Sequence, residues 1–122
     1  MKSLTTNKPV IAIDFKKHRI RIHRKTLYLL GKPEYIQFLV NPAAKTIALC
    51  TGLHSDHLIH RIHWNTATNT KSFEFHSKSL VLAIKNICPF LDNKQIYRIY
   101  GDLTADKTMA VFSINVEEEY YE

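Results

Sequence analysis

A chain of 122 residues with 45% apolar, 23% charged and 11% aromatic content, and only three Gly and four Pro, excludes collagen, low-complexity linker and wholly disordered classes. It is long enough for one compact domain, or two tightly joined half-domains, hiding roughly 65% of its unfolded surface without disulfide staples, and too short for an enzyme with a separate cofactor domain. The formal charge of +6 is uneven: residues 1–61 carry eleven basic and three acidic side chains, residues 62–122 six and eight, so the positive field belongs to the first half.

The polar lead, residues 1–8, has no signal-peptide core, and no apolar run approaches the ~18 residues of a membrane span. A soluble cytoplasmic protein without a membrane partner is the expectation. Residues 10–15 alternate, with Ile11, Ile13 and Phe15 on one side and Val10, Ala12 and Asp14 on the other, which predicts a strand. Residues 18–23 alternate again, placing Ile20 and Ile22 inward and Arg19, Arg21 and His23 outward. A core cannot accept two unpaired guanidinium groups, so the basic side is expected to face water or an anion.

Residues 24–30 lose the alternation and end at Gly31, Lys32 and Pro33, the pattern of a short helix closed by a left-handed Gly. Period two returns at residues 35–40, residues 41–45 (NPAAK) read as a turn, and residues 46–50 as the returning strand. Residues 51–56 form a loop. Residues 57–64 (HLIHRIHW) fit a strand with Leu58, Ile62 and Trp64 on one face or a short amphipathic helix, and the strand is the favoured reading. After a polar loop at residues 65–70 comes a strand at residues 72–76 with Phe73 and Phe75 inward. Ser77 can cap the longest helix, from residue 78 to about 88, whose stripe is Leu80, Ile84 and Ile87 or Leu91. Residues 95–100 and 109–116 read as a final hairpin around GDLTADKT, with Gly101 and Asp102 supplying the turn, before a short acidic tail at residues 117–122.

Two strings, His23-Arg24-Lys25-Thr26-Leu27 and His76-Ser77-Lys78-Ser79-Leu80, lie 53 residues apart and share His, Lys and Leu with a Thr/Ser exchange. Each follows an inward apolar pair and precedes a helix and two strands. The predicted fold is α+β: two pseudo-repeated β-α-β-β units, half-units 10–50 and 57–116, packed as one domain with an additional N-terminal strand. Each unit buries an apolar face that it could not bury alone.

The stretch RIRIHRKTLYLLGKPEYIQFLVNPAAKTIALC, residues 19–50, resembles the swapped-hairpin DNA-binding family of AbrB, SpoVT and MazE: a basic strand, a short helix ending Leu-Gly, and a β-hairpin. Residues 73–113 match it more loosely, and the whole chain resembles small proteins of Gram-positive bacteria. The resemblance implies two interlocked copies, here fused in one chain, and DNA contacts from Arg19, Arg21, Arg24 and Lys25. It also raises a transcription-regulating or antitoxin-like role. The sequence departs from the family where His23 replaces its usual Pro, where Lys32-Pro33-Glu34 replaces its Gly-Asp turn, and in the length of the second helix.

Other chemistries find less support. Cys50 and Cys88 sit in or beside apolar runs without a CxxC pair, and read as small buried hydrophobes. His54, His57, His60 and His63 recur every third residue, but no HExxH and no cysteine pair accompanies them, so no metal or other cofactor is expected. Gly31, Gly52 and Gly101 are too scattered for a phosphate cradle, and no nucleophile signature is present, so the chain reads as non-enzymatic. A phosphate at the start of the short helix is an open alternative, as is base stacking by Tyr28, Tyr35, Tyr97 or Tyr100.

The densest charge, KKHRIRIHRK at residues 16–25, points to double-stranded DNA. Arg19 and Arg21 would address groove or phosphate, and Lys16, Lys17, Arg24 and Lys25 would neutralise phosphates. The rival is a protein-interaction or structural module whose basic patch meets an acidic protein and whose Trp64 and acidic tail form the partner surface. A homodimer through strand edges is compatible with either. The DNA reading would lose its basis if Arg19 and Arg21 were together locked into internal carboxylate pairs, away from any open basic face.

Overall fold

Strict alternation over residues 10–23 builds an antiparallel hairpin of β1 (Val10–Asp14) and β2 (Arg19–His23), paired from Ile11 with Ile22 to Asp14 with Arg19. The computed structural model describes residues 8–52, 59–64, 72–92 and 94–114. Helix α1 (Arg24–Leu29) follows β2 directly, and Gly31 (φ +84) ends it as expected. The Gly31 N–H donates to the Tyr28 carbonyl at 3.0 Å and the Lys32 N–H to that of Leu27 at 2.8 Å, the paired bonds of a Schellman closure. Strands β3 (Tyr35–Asn41) and β4 (Thr46–Thr51) form the hairpin, and β5 (Ile59–Arg61) adds to β3. The second half supplies β6 (Ser72–His76), α2 (Lys78–Ile87), β7 (Ile96–Tyr100), β8 (Asp102–Leu103) and β9 (Met109–Ser113).

These strands make two sheets, ordered β6-β2-β1-β7 and β5-β3-β4-β9-β8. Their inner faces share one core. Ile11, Ile13, Ile20 and Ile22 from the first sheet meet Ile36, Ile47, Leu49, Ala110 and Phe112 from the second, with Leu27 and Val81 from the helices. The fold is thus α+β with a pseudo-repeated pattern of strands and helices.

The repeat is written into the pairing. β2 lies antiparallel to β6 with Arg19 opposite His76, Ile20 opposite Phe75, Arg21 opposite Glu74 and His23 opposite Ser72. A shift of 53 residues turns this list into itself, because His76 is the counterpart of His23 and Ser72 that of Arg19, so a pseudo-two-fold axis passes between Arg21 and Glu74. β4 and β9 pair about Ala48 and Val111, with a shift of 63 rather than 53 residues between the two. The first strand of each half adds to the third strand of the other: β1 pairs with β7, and β5 pairs with β3. The additional N-terminal strand therefore has a counterpart in β5, and each half is β-β-α-β-β when β7 and β8, continuous through Gly101, are counted as one strand.

Two expectations are corrected. The segment after residue 95 is not a simple hairpin: it runs along β1 in the first sheet as β7, crosses at Gly101, and joins β9 in the second sheet as β8. A strand that changes sheets must pass close to the backbone it joins. A Cβ on Gly101 would stand 2.5 Å from the Val111 carbonyl oxygen and 2.6 Å from the Phe112 ring. The stripe of α2 is also corrected in part: Ile84 and Leu91 are buried as expected, but Val81 and Cys88 join them, while Leu80 and Ile87 only flank the core. Ser77 caps this helix as expected, accepting the Leu80 N–H at 3.3 Å. Leu58, the loop at residues 65–70 and the tail at residues 117–122 lie outside the described residues.

Thr26 on α1 extends the first sheet with its side chain. Its hydroxyl oxygen accepts the Val10 N–H at 2.8 Å and its O–H donates to the Val10 carbonyl at 3.0 Å, both buried. Thr26→Val strands both backbone groups and is expected to cost about 2–4 kcal/mol in urea denaturation, whereas Thr26→Ser retains most of the stability. Gly101→Ala is expected to lower the urea midpoint by an equivalent of about 1–3 kcal/mol without changing the slope, since rigid backbone and a buried ring must yield.

Candidate nucleic-acid interface

The outer face of the first sheet carries the charge that the sequence concentrates in residues 16–25. Cross-strand partners share a face, so this surface runs in rows: His76, Arg19, Asp14 and Ile96; then Glu74, Arg21, Ala12 and Arg98; then Ser72 and His23 beside Val10 and Tyr100. Lys16 and Lys17 are exposed in the turn at one end of β2, and Arg24 and Lys25 open α1 at the other. A five-residue strand separates those ends by about 17 Å, the rise of about five base pairs.

Arg19 differs from its expected role. Its guanidinium Nη2 lies 3.1 Å from the buried Asp14 carboxylate and its Nη1 lies 3.4 Å from Glu74, leaving the side chain 18% exposed. Asp14 also accepts the Lys17 N–H at 3.0 Å, which fixes the β1–β2 turn. Arg19 is thus a sheet-anchoring ion pair rather than a solvated contact residue, because burying Asp14 on the central strand requires a nearby cation. Arg21 stands opposite Glu74 in the register, and its neighbour across β1, with only Ala12 between them, is Arg98.

Arg98 is the basic residue of this face that lies outside the sequence-predicted cluster. Its Nε is buried without a hydrogen-bond partner, and its guanidinium carbon stands 5.9 Å from the centre of the Tyr100 ring. No salt bridge engages it among the described residues. The missed signal was the alternation in IYRIY itself, which puts Arg98 on the face opposite Tyr97 and Ile99. Between Arg21 and Arg98 the sheet surface opens as a cleft of about 370 Å³, with His23 and Ser72 at its far row. A second open groove, about 540 Å³, runs past Leu30 and Leu103; its carboxylate, Asp106, is held below the usual carboxylate range by hydrogen bonds from Thr104 and Thr108.

The helix start offers little to a phosphate. His23 precedes α1 and its Nδ1 accepts the Lys25 N–H at 3.1 Å, while the helix is only six residues long. Arg24 turns its Nε into a buried position without a partner.

Trp64 is engaged within the chain. Its Nε1–H donates to the Pro33 carbonyl at 2.9 Å, its ring meets Phe73 and Tyr28, and Lys32 Nζ lies 5.2 Å from its centre. It therefore latches β5 onto the end of α1, and the expected partner surface at Trp64 is largely occupied. Tyr97 is buried, with its hydroxyl accepting the Asp92 N–H, whereas Tyr28 and Tyr100 are exposed.

Cys50 and Cys88 are free and buried, and burial pushes both thiols up, which keeps them protonated and poor nucleophiles. Among the described residues no three His, Cys, Asp or Glu side chains gather as a metal site; His54 and His57 lie outside them. No described helix is long and apolar enough to cross a membrane. Comparison with protein-family models, curated proteins and solved structures finds no match.

His60 occupies the β5 position that corresponds to Ile11 of β1: each faces the Ile of a third strand, Ile36 or Ile99. Its ring packs between Phe38 and Phe75, and burial holds its pKa below the ordinary 6.5. The unfolded chain therefore binds the extra proton first as pH falls, so this contribution to stability is complete above about pH 6.5 and is lost on acidification below it. His60→Ile is expected to remove that part of the acid-side decline, seen as a smaller drop in melting temperature between pH 7 and pH 5 than the parent shows.

Proposed function

We propose that this chain is a non-enzymatic nucleic-acid-binding protein whose partner is double-stranded DNA and whose role is regulatory. The observation that carries the reading is the line of basic side chains along β2: Lys16 and Lys17 at one end, Arg21 in the middle, and Arg24 and Lys25 at the other. A row of cations on a rigid strand neutralises successive phosphates and gains affinity through counterion release. Arg19 is left out of this role, and its ion pairs keep β2 flat against β1 while the other charges face outward.

The internal pairing supports the same reading. Two β-β-α-β-β halves that exchange first strands about a pseudo-two-fold axis are what a fused pair of swapped-hairpin subunits would look like. The halves are unequal, since the counterparts of Arg19, Arg21 and Arg24 at a shift of 53 are Ser72, Glu74 and Ser77. The proposed reader therefore presents one basic half to the duplex rather than two.

The test is titration of labelled duplex DNA, single-stranded DNA and RNA at two salt concentrations. Charge reversal of Lys16, Lys17, Arg24 and Lys25 together is expected to weaken duplex binding whatever its sequence and to reduce the salt slope by about 0.9 for each phosphate no longer neutralised. Absence of duplex binding at low salt, or binding indifferent to these reversals, sinks the proposal. Preference for an acidic protein surface over all three nucleic acids would instead favour an interaction module.

A further inference from the structure

We infer that the outer face of the second sheet is a docking surface for a second copy of this chain. Its three central strands, β3, β4 and β9, contain no charged residue, in a chain whose charged content is 23%. Their core-facing side is Ile36, Ile47, Leu49, Ala110 and Phe112, so the alternate positions point outward. The register sets these side by side: Leu39, Ala48 and Val111 form one row, and Ile59 and Met109 stand at the two ends of the next. A sheet with one face in water ordinarily turns polar residues outward, yet these five are apolar. Leu39 is 47% exposed and the other four are half-buried. The outer face of the first sheet carries Asp14, Arg19, Glu74 and Arg98 instead, and both helices pack against its strand β2.

Two arguments select a second copy as the occupant. The first is electrostatic. A chain of net charge +6 repels itself, and two copies approach with least repulsion where neither presents a charge. The charged side chains that the described strands place on this face, Arg61 of β5 and Asp102 of β8, stand at its opposite edges. Each already has a partner of opposite sign, Glu34 at 3.5 Å and Lys8 at 3.7 Å. Such a face has nothing to steer a charged partner, but it meets its own copy without a like-charge clash. The second argument is area. Five strands at a spacing of about 4.8 Å, over rows spanning about 20 Å, give about 500 Å² per copy and about 1,000 Å² in all, the lower limit of a specific interface. A weak dimer follows, and it closes at two copies because both use the same patch. It joins faces rather than strand edges, and it does not rest on the nucleic-acid reading.

The experiment is sedimentation velocity of the full chain without nucleic acid, from low micromolar to submillimolar concentration at two salt concentrations. A reversible monomer–dimer equilibrium is expected. Added salt should leave it unchanged or strengthen it, since screening relieves the mutual repulsion of the two chains and breaks no ion pair across the face. Leu39→Lys and Val111→Lys, each at an outward position, are expected to weaken dimerisation at least about tenfold while keeping urea midpoints close to the parent's. Leu82→Lys, at an exposed apolar position on α2, leaves dimerisation unchanged. In the unsubstituted chain, the amide NMR signals of Leu39, Ala48 and Val111 are expected to move on dilution, which reads the face without any variant. The inference is overturned by a chain that stays monomeric throughout, by a dimer that salt dissociates, or by undiminished affinity in both Leu39→Lys and Val111→Lys. Dilution shifts confined to the β6 and β7 edges overturn it as well, and mark edge pairing instead.

Discussion

The antiparallel contact of β2 with β6 is the constraint on which the rest of the molecule rests. It sets Ile20 and Ile22 beside Phe75 and Phe73 on the inner face, where the two isoleucines are fully buried. Each large apolar side chain removed from water contributes about 1.5–3 kcal/mol. A slip of one residue would drive Arg19 and Arg21 into that core, so the register is fixed by hydrophobicity within and by opposite charges, Arg21 against Glu74, without. Everything on the outer face follows from this alignment, including the row in which Arg21, Ala12 and Arg98 lie side by side.

Much of the local structure was legible because its signals are local. Period two over residues 10–23, the Gly31 and Pro33 stop after α1, the Ser77 cap and the 53-residue echo of His, Lys and Leu all lie within a few positions of the feature they specify. Sheet membership was not legible in the same way. Nothing in IYRIYGDL says that its first five residues will lie along β1 and its last two along β9, because that choice is made by segments far off in the chain. In α2, Ile84 lies in the core as its spacing suggests, but the sheets beneath the helix take Val81 and Cys88 beside it rather than Leu80 and Ile87.

The candidate site divides along the same line. The outward direction of the β2 arginines could be read from alternation, but the fate of each could not. Arg19 faces a carboxylate that its own hairpin brings opposite, Asp14, whereas Arg21 faces the small Ala12 in the neighbouring row. Which of the two anchors the β1–β2 hairpin is thus decided by a single cross-strand partner. Trp64 teaches the converse, since an aromatic beside a polar loop became an internal latch through one hydrogen bond to Pro33.

The exchange of first strands between the halves has a consequence for synthesis. Val10 reaches its β7 partner only at Tyr100, so an apolar strand made early must wait for nearly the whole chain to leave the ribosome. Distant pairings of this kind slow folding and prolong the exposure of unpartnered edges. Once closed, the same exchange threads each half through the other, so local breathing of one half loosens both.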